Sequence, residues 1–266
     1  MEQRPIGVLD SGVGGVAVAR EIRQLLPGED IAYYADSANF PYGEKSVSQL
    51  QGLALEAAQF LLGKRAKLIV VACNTLSSAA LAVLRQNFTI PFVGMVPAVK
   101  PASASTRTGK VGVIATEATV QAQVFADLVA QFAAGVTVVT RACPGLAAMV
   151  ESGETDAPAV HHLLHTYLNP MVAEGIDILV LGCTHYSFLR PAVESIVGRD
   201  VTVIDASQPV ARQVQRVLQE RRLSTTGEQA GRVDYYVSGD RDGFLKVVER
   251  LWPESLVAAA ATGMQG

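Results

Sequence analysis

The sequence predicts an α/β protein of two domains with similar topology, each a mainly parallel sheet flanked by helices. Three observations predict it. Short apolar runs alternate with longer helix-like stretches along the 266 residues. Runs such as LIVVA and ILVLG show no polar alternation, as expected of strands covered by helices on both faces. The pattern also repeats: Ile6-Gly7-Val8-Leu9 has the character of Val111-Gly112-Val113-Ile114, and Val70-Val71-Ala72-Cys73 that of Val180-Leu181-Gly182-Cys183, in the same order.

In chain order, IGVLD reads as a strand, GGVAVAREIRQLL as the helix after a glycine turn, IAYYAD as a strand and SVSQLQGLALEAAQFLL as a helix. AKLIVVAC is a strand ending on Cys73. KVGVIAT reopens the same rhythm, followed by the helix TVQAQVFADLVAQFA, the strand VTVVTRAC, the helix HHLLHTYLNPMVAEG and the strands DILVLGC and VTVIDAS. The helix VARQVQRVLQERR, a polar stretch, the strand-like VDYYVSG and a last helix, GFLKVVERLW, are expected to return to the first half. The domains are therefore drawn as 1–98 plus 208–255 and 99–207, with 256–266, rich in Ala and Gly, as a frayed tail.

Composition narrows the function. The chain is 49% hydrophobic and 18% charged with a net charge of −3, which gives no reason to expect a nucleic acid or a membrane surface as partner. The N-terminus lacks a signal-peptide pattern, and no apolar stretch approaches the roughly 20 residues of a membrane span. Cys73, Cys143 and Cys183 are odd in number and far apart, so they read as free thiols in a cytoplasmic protein.

Candidate chemistry gathers at strand ends, where open α/β sheets bind their ligands. Gly12-x-Gly14-x-x-Ala17, with Asp36 at the end of the next strand, formally resembles a dinucleotide fingerprint. Asp10 argues against that reading, because its charge would oppose a pyrophosphate at the same helix N-terminus. As a plain residue, Asp10 would be a helix cap. In VVACNTLSSAAL, Cys73 ends a strand and Asn74, Thr75, Ser77 and Ser78 crowd the next turn; Cys183-Thr184-His185 repeats the design at a second expected helix start. If the two halves face each other, thiols at matched positions would look into one cleft, which suits a reaction that removes a proton from one side of a carbon and returns one to the other. That is racemisation or epimerisation. The helpers differ: Asp10 lines up with Ala115, and His185 with Thr75. His161 and His165 have helical spacing but no completing ligand, so a metal site is not expected. Cys143 reads as packing, and no lysine sits in a setting that suggests pyridoxal phosphate.

In their order, Asp10-Ser11-Gly12, Asp36, Pro41-Tyr42-Gly43, Cys73-Asn74-Thr75, Gly112 to Thr119, Gly182-Cys183-Thr184-His185 and Ser238-Gly239-Asp240 resemble the glutamate racemases, of the cofactor-independent aspartate/glutamate racemase family. The resemblance runs from Ile6 to about Trp252. It implies two Rossmann-like or flavodoxin-like α/β domains in a pseudo-twofold relation, with the active site in the cleft between them and no cofactor. It implies that Cys73 acts on D-glutamate and Cys183 on L-glutamate, with Asp10 assisting the first and His185 and Glu151 the second. Substrate contacts would come from Asp10, Ser11, Tyr42, Gly43, Asn74, Thr75, Thr116, Thr119, Thr184 and His185. A homodimer supplying D-glutamate for peptidoglycan is implied as well. Leu76-Ser77, Ser187-Phe188, Ser37-Ala38-Asn39 and Ala115 depart from the usual pattern; they bear on pocket shape and remove no thiol.

Overall fold

A computed structural model describes residues 4–225 and 229–256; of the expected frayed tail, 257–266 lie outside the described residues. The strands are β1 (Ile6–Asp10), β2 (Ile31–Ala35), β3 (Leu68–Val71), β4 (Phe92–Gly94), β5 (Lys110–Ala115), β6 (Thr137–Ala142), β7 (Ile178–Leu181), β8 (Thr202–Asp205) and β9 (Val233–Val237). They form two all-parallel sheets, ordered β4-β3-β1-β2-β9 and β6-β5-β7-β8. Read from its other edge, the second is β8-β7-β5-β6, the order of the first without its added edge strand β9. The repeat in the sequence is thus a repeat of topology.

The chain divides into two compact units. One contains the described residues up to Met95 and from Ser207 onward; the other is Val96–Ala206. β1 and β3 are buried throughout, which is why their sequences are apolar without alternation. Leu9, Ile69 and Val71 pack with Ala54, Ala58 and Leu61 from the helix Val47–Gly63 and with Leu76 and Leu84 from Asn74–Asn87. In the second unit Val111, Val113 and Val180 pack with Ala102 and Phe125. Among the described residues no helix is long and apolar enough to cross a membrane.

Each unit anchors the start of its thiol-bearing strand with a buried charge. Lys67, just before β3, forms an ion pair with Glu29, both 4% exposed. Thr225 joins them: its amide donates to Glu29 Oε1 (2.7 Å), its hydroxyl donates to Oε2 (2.8 Å), and Lys67 Nζ donates to that hydroxyl (3.0 Å). The return segment before β9 is thereby tied to the first unit. Asp177, at the equivalent position before β7, accepts from Thr106 and Thr108 hydroxyls and from the Arg107 and Thr108 amides. Burial alone would raise its pKa, but these hydrogen bonds to the carboxylate hold it down at about 2.

Candidate active site

In the first unit the carboxyl ends of the adjacent strands β1 and β3 bring Asp10 and Cys73 into one neighbourhood; the Ala72 amide continues the ladder to Leu9 O (2.8 Å). Asp10 is fully buried, and its Oδ1 accepts from the Gly12 amide (2.8 Å). Tyr33, also fully buried, donates from its hydroxyl to Gly12 O (2.7 Å) and so braces the same turn. Gly15 must lack a side chain here, because a Cβ would come within 2.7 Å of Asp10 Cβ and 2.8 Å of the Tyr33 hydroxyl. The glycine-rich stretch is therefore shaped around a carboxylate.

Cys73 is the N-cap of the helix Asn74–Asn87, and its Sγ accepts from the Leu76 amide at 3.5 Å. A helix N-terminus favours an anionic sulfur. Asn74, Thr75 and Ser77, which follow it in the chain, are buried, as is Ser11 after Asp10. Ser77 is structural: its hydroxyl donates to Val71 O (2.9 Å) and accepts from the Met95 amide (3.0 Å). Asn74 differs, since neither its Nδ2 nor its Oδ1 has a hydrogen-bond partner among the described residues. Such a group is costly to bury unless something is bound to it. Tyr42 is buried too, in the short 3-10 turn Tyr42–Glu44 that carries Gly43, and its hydroxyl donates to Asp36 Oδ2 (2.7 Å). Burial, then Asp36, Cys73 and Asp10, all oppose its ionisation.

In the second unit Cys183 stands two residues beyond β7, as Cys73 does beyond β3, but the turn that follows differs from expectation. Residues Thr184–Leu189 form a 3-10 helix, and an α-helix begins only at Arg190–Val197. Cys183 makes no side-chain cap. Pro191 has no N–H to give Ser187 O, and that carbonyl is taken instead by the Arg190 amide in a tighter turn. The second thiol has an imidazole in place of a capped α-helix: Cys183 Sγ lies 3.8 Å from His185 Nδ1, and His185 Nε2 lies 2.8 Å from Glu151 Oε2. His185 is 2% exposed and Glu151, at the end of the helix Leu146–Glu151, is 18% exposed. Burial opposes the imidazolium, yet the hydrogen bonds to Cys183 and Glu151 and the charges of both groups outweigh it, so the His185 pKa stands well above the usual histidine range.

Thr184 is buried next to the thiol. At the end of β5 the Thr116 hydroxyl accepts from the Thr119 amide (3.3 Å) and meets the Thr119 hydroxyl at 2.9 Å, which pairs the two threonines in one cap. Tyr186 donates to Cys143 O (2.9 Å). Cys143 itself is 1% exposed, and burial pushes its thiol up to about 12. His161 pairs with Asp156 (2.7 Å) and His165 with Asn169 (3.4 Å), and no group of three or more His, Cys, Asp or Glu is placed for a metal among the described residues.

Tyr33 and Asp36 each brace a turn of the site, the first through Gly12 O and the second through the Tyr42 hydroxyl, roles that no spacing in the sequence signals. Asp36 belongs to a motif, and its bonds to Asn39 and Tyr42 are local, but the bond from Ser238 comes from the far end of the chain, where spacing cannot show it.

Two like α/β units, each with a buried thiol beyond a central parallel strand, define a class. The profile of the family described as Asp/Glu/Hydantoin racemase matches residues 6–214, and the chain belongs to this family of racemases, which are isomerases. Within it, the chain is 50% identical to a glutamate racemase of Ectopseudomonas mendocina over 90% of both chains. It is similar in structure to a glutamate racemase isoform of Bacillus anthracis, with 34% identity, 95% of both chains covered and a TM-score of 0.85. It is likewise similar to Escherichia coli glutamate racemase in complex with L-glutamate and the activator UDP-MurNAc-ala, with 30% identity, 96% and 95% covered and a TM-score of 0.84.

Proposed function

We propose that this chain interconverts L- and D-glutamate without a cofactor, with Cys73 and Cys183 as the two proton-transfer groups. The observation that carries the reading is the pair of buried thiols at matched strand ends, each with a different helper. A nucleophilic hydrolase needs one thiol and one base, and the second thiol would then be idle. In the direction from L to D, the Cys183 thiolate takes the α-proton and the Cys73 thiol gives its own proton to the other side of the carbon. Cys183 ends as thiol and Cys73 as thiolate, so the reverse reaction starts from that state. Asp10 serves Cys73; His185, held by Glu151, serves Cys183.

An α-proton is a far weaker acid than a thiol, so the charge that develops on the substrate carboxylate must be stabilised as it forms. The buried neutral donors Ser11, Asn74, Thr75 and Thr184 are suited to that task, and the partnerless amide of Asn74 supports it most directly. Tyr42 and Gly43, with Thr116 and Thr119, complete the substrate contacts in this reading. The relatives' names support glutamate as substrate. The same reading places the enzyme in the cytoplasm as a homodimer of two-domain chains (1–98 plus 208–255, and 99–207), supplying D-glutamate to peptidoglycan.

Circular dichroism of L-glutamate with purified protein tests the reading. Wild type should drive the optical signal to zero, whereas Cys73→Ala and Cys183→Ala should each lose more than the roughly 10²-fold typical of one lost oxyanion donor. Near-normal racemisation by either variant would refute the two-thiol mechanism.

A further inference from the structure

Ser238, Gly239 and Asp240 stand out as a motif in the sequence, yet the mechanism above gives them nothing to do. They follow β9, the last strand of the first sheet, which runs parallel to β2 from Ile31↔Val233 to Ala35↔Val237. The Ser238 amide extends that ladder by donating to Ala35 O (3.0 Å). The side chain then turns to the segment after β2. Ser238 Oγ donates to Asp36 Oδ1 (2.8 Å) and accepts from the Ala38 amide (3.1 Å), and the Gly239 amide donates to Ser37 Oγ (3.2 Å). A Cβ on Gly239 would lie 2.7 Å from Ser37 Oγ and 3.0 Å from Ala38 N, so only glycine allows this approach. Asp240 fixes the other side by capping the helix Arg241–Leu251 through the Gly243 amide (3.1 Å).

Asp36 is 3% exposed and divides its oxygens. Oδ1 takes Ser238 and Asn39 Nδ2 (3.0 Å), while Oδ2 takes the hydroxyl of Tyr42 (2.7 Å), a side chain that feels the charges of Cys73 and Asp10. A relay of hydrogen bonds therefore runs from the C-terminal strand to the turn beside the first thiol. We propose that Ser238 is a positioning residue, which through Asp36 sets the Tyr42-Gly43 turn for substrate and makes the C-terminal segment part of the binding site. This rests on the reading of Tyr42 and Gly43 as substrate contacts. A purely structural role fits less well, because the β2–β9 ladder is complete without the hydroxyl and Ser238 is exposed.

Steady-state kinetics on Ser238→Ala, Ser238→Thr, Tyr42→Phe and the double variant Ser238→Ala/Tyr42→Phe decide it. Ser238→Ala should raise KM for glutamate about fivefold, the worth of one hydrogen bond, with kcat nearly kept and the unfolding midpoint unchanged. Ser238→Thr should restore KM, and the double variant should be no worse than Tyr42→Phe alone, since both act along one path. Hydrogen exchange over residues 36–44 reads the clamp without turnover and should quicken in Ser238→Ala. Unchanged KM, multiplicative losses in the double variant, or unaltered exchange would each overturn the proposal. A wild-type protein inactive on glutamate would instead sink the functional reading, and exchange would still judge the clamp.

Discussion

Asn74 and His185 show how much one side chain's surroundings decide. Asn74 is 3% exposed, and its amide lacks partners among the described residues, so Asn74→Ala removes no internal hydrogen bond. Turnover should fall by about 10² to 10³ while the urea midpoint hardly moves. A matching loss of stability would make the residue structural. His185 gives a pH signature. Its folded pKa is raised, so the folded chain holds a proton that the unfolded chain holds only below about pH 6.5. The stability this contributes is fully present below that pH and is lost as pH rises through the folded value. Over that window wild type should lose stability relative to His185→Gln in urea titrations. In Glu151→Gln, with the carboxylate 2.8 Å from Nε2 gone, the imidazole NMR titration should move down. An unmoved titration would mean that Glu151 does not hold the charge.

At the scale of elements, the anchors at the starts of β3 and β7 lie at the ends away from Cys73 and Cys183, so they bear on stability and not on chemistry. Lys67→Ala would leave Glu29 buried without its cation and should cost ~3 to 5 kcal/mol in urea unfolding, with kcat of the folded protein kept. A lost kcat at full stability would contradict this separation. The strands and their repeat were legible in the sequence because burial on both faces leaves uninterrupted apolar runs, as in LIVV and ILVL. The turn after Cys183 was not. THYSFL has the look of a helix start, but it folds as a 3-10 helix and the α-helix begins only at Arg190, with Pro191 in its first turn. The positions of Asp10 and of the two thiols were legible because they stand at or two residues beyond strand ends, whereas His185 lies in the 3-10 turn that follows β7. The Asp36 cluster was not legible, since Ser238 and Tyr42 meet there only after β9 has taken the edge of the sheet next to β2.

For the whole molecule, the same strand order occurs twice, but the two thiols are not copies of one another. One caps an α-helix and the other leans on a histidine held by a glutamate. In the proposed mechanism one sulfur is anionic while the other carries a proton, and the two exchange these states with the direction of the reaction. The most direct test of this claim follows L-glutamate in D2O by proton NMR and circular dichroism during the first turnovers, with no added cofactor. The account predicts that deuterium enters the newly formed D-glutamate while the remaining L-glutamate keeps its α-proton. Washout of the proton from L-glutamate ahead of inversion, or no exchange by the folded, reduced protein, would contradict it.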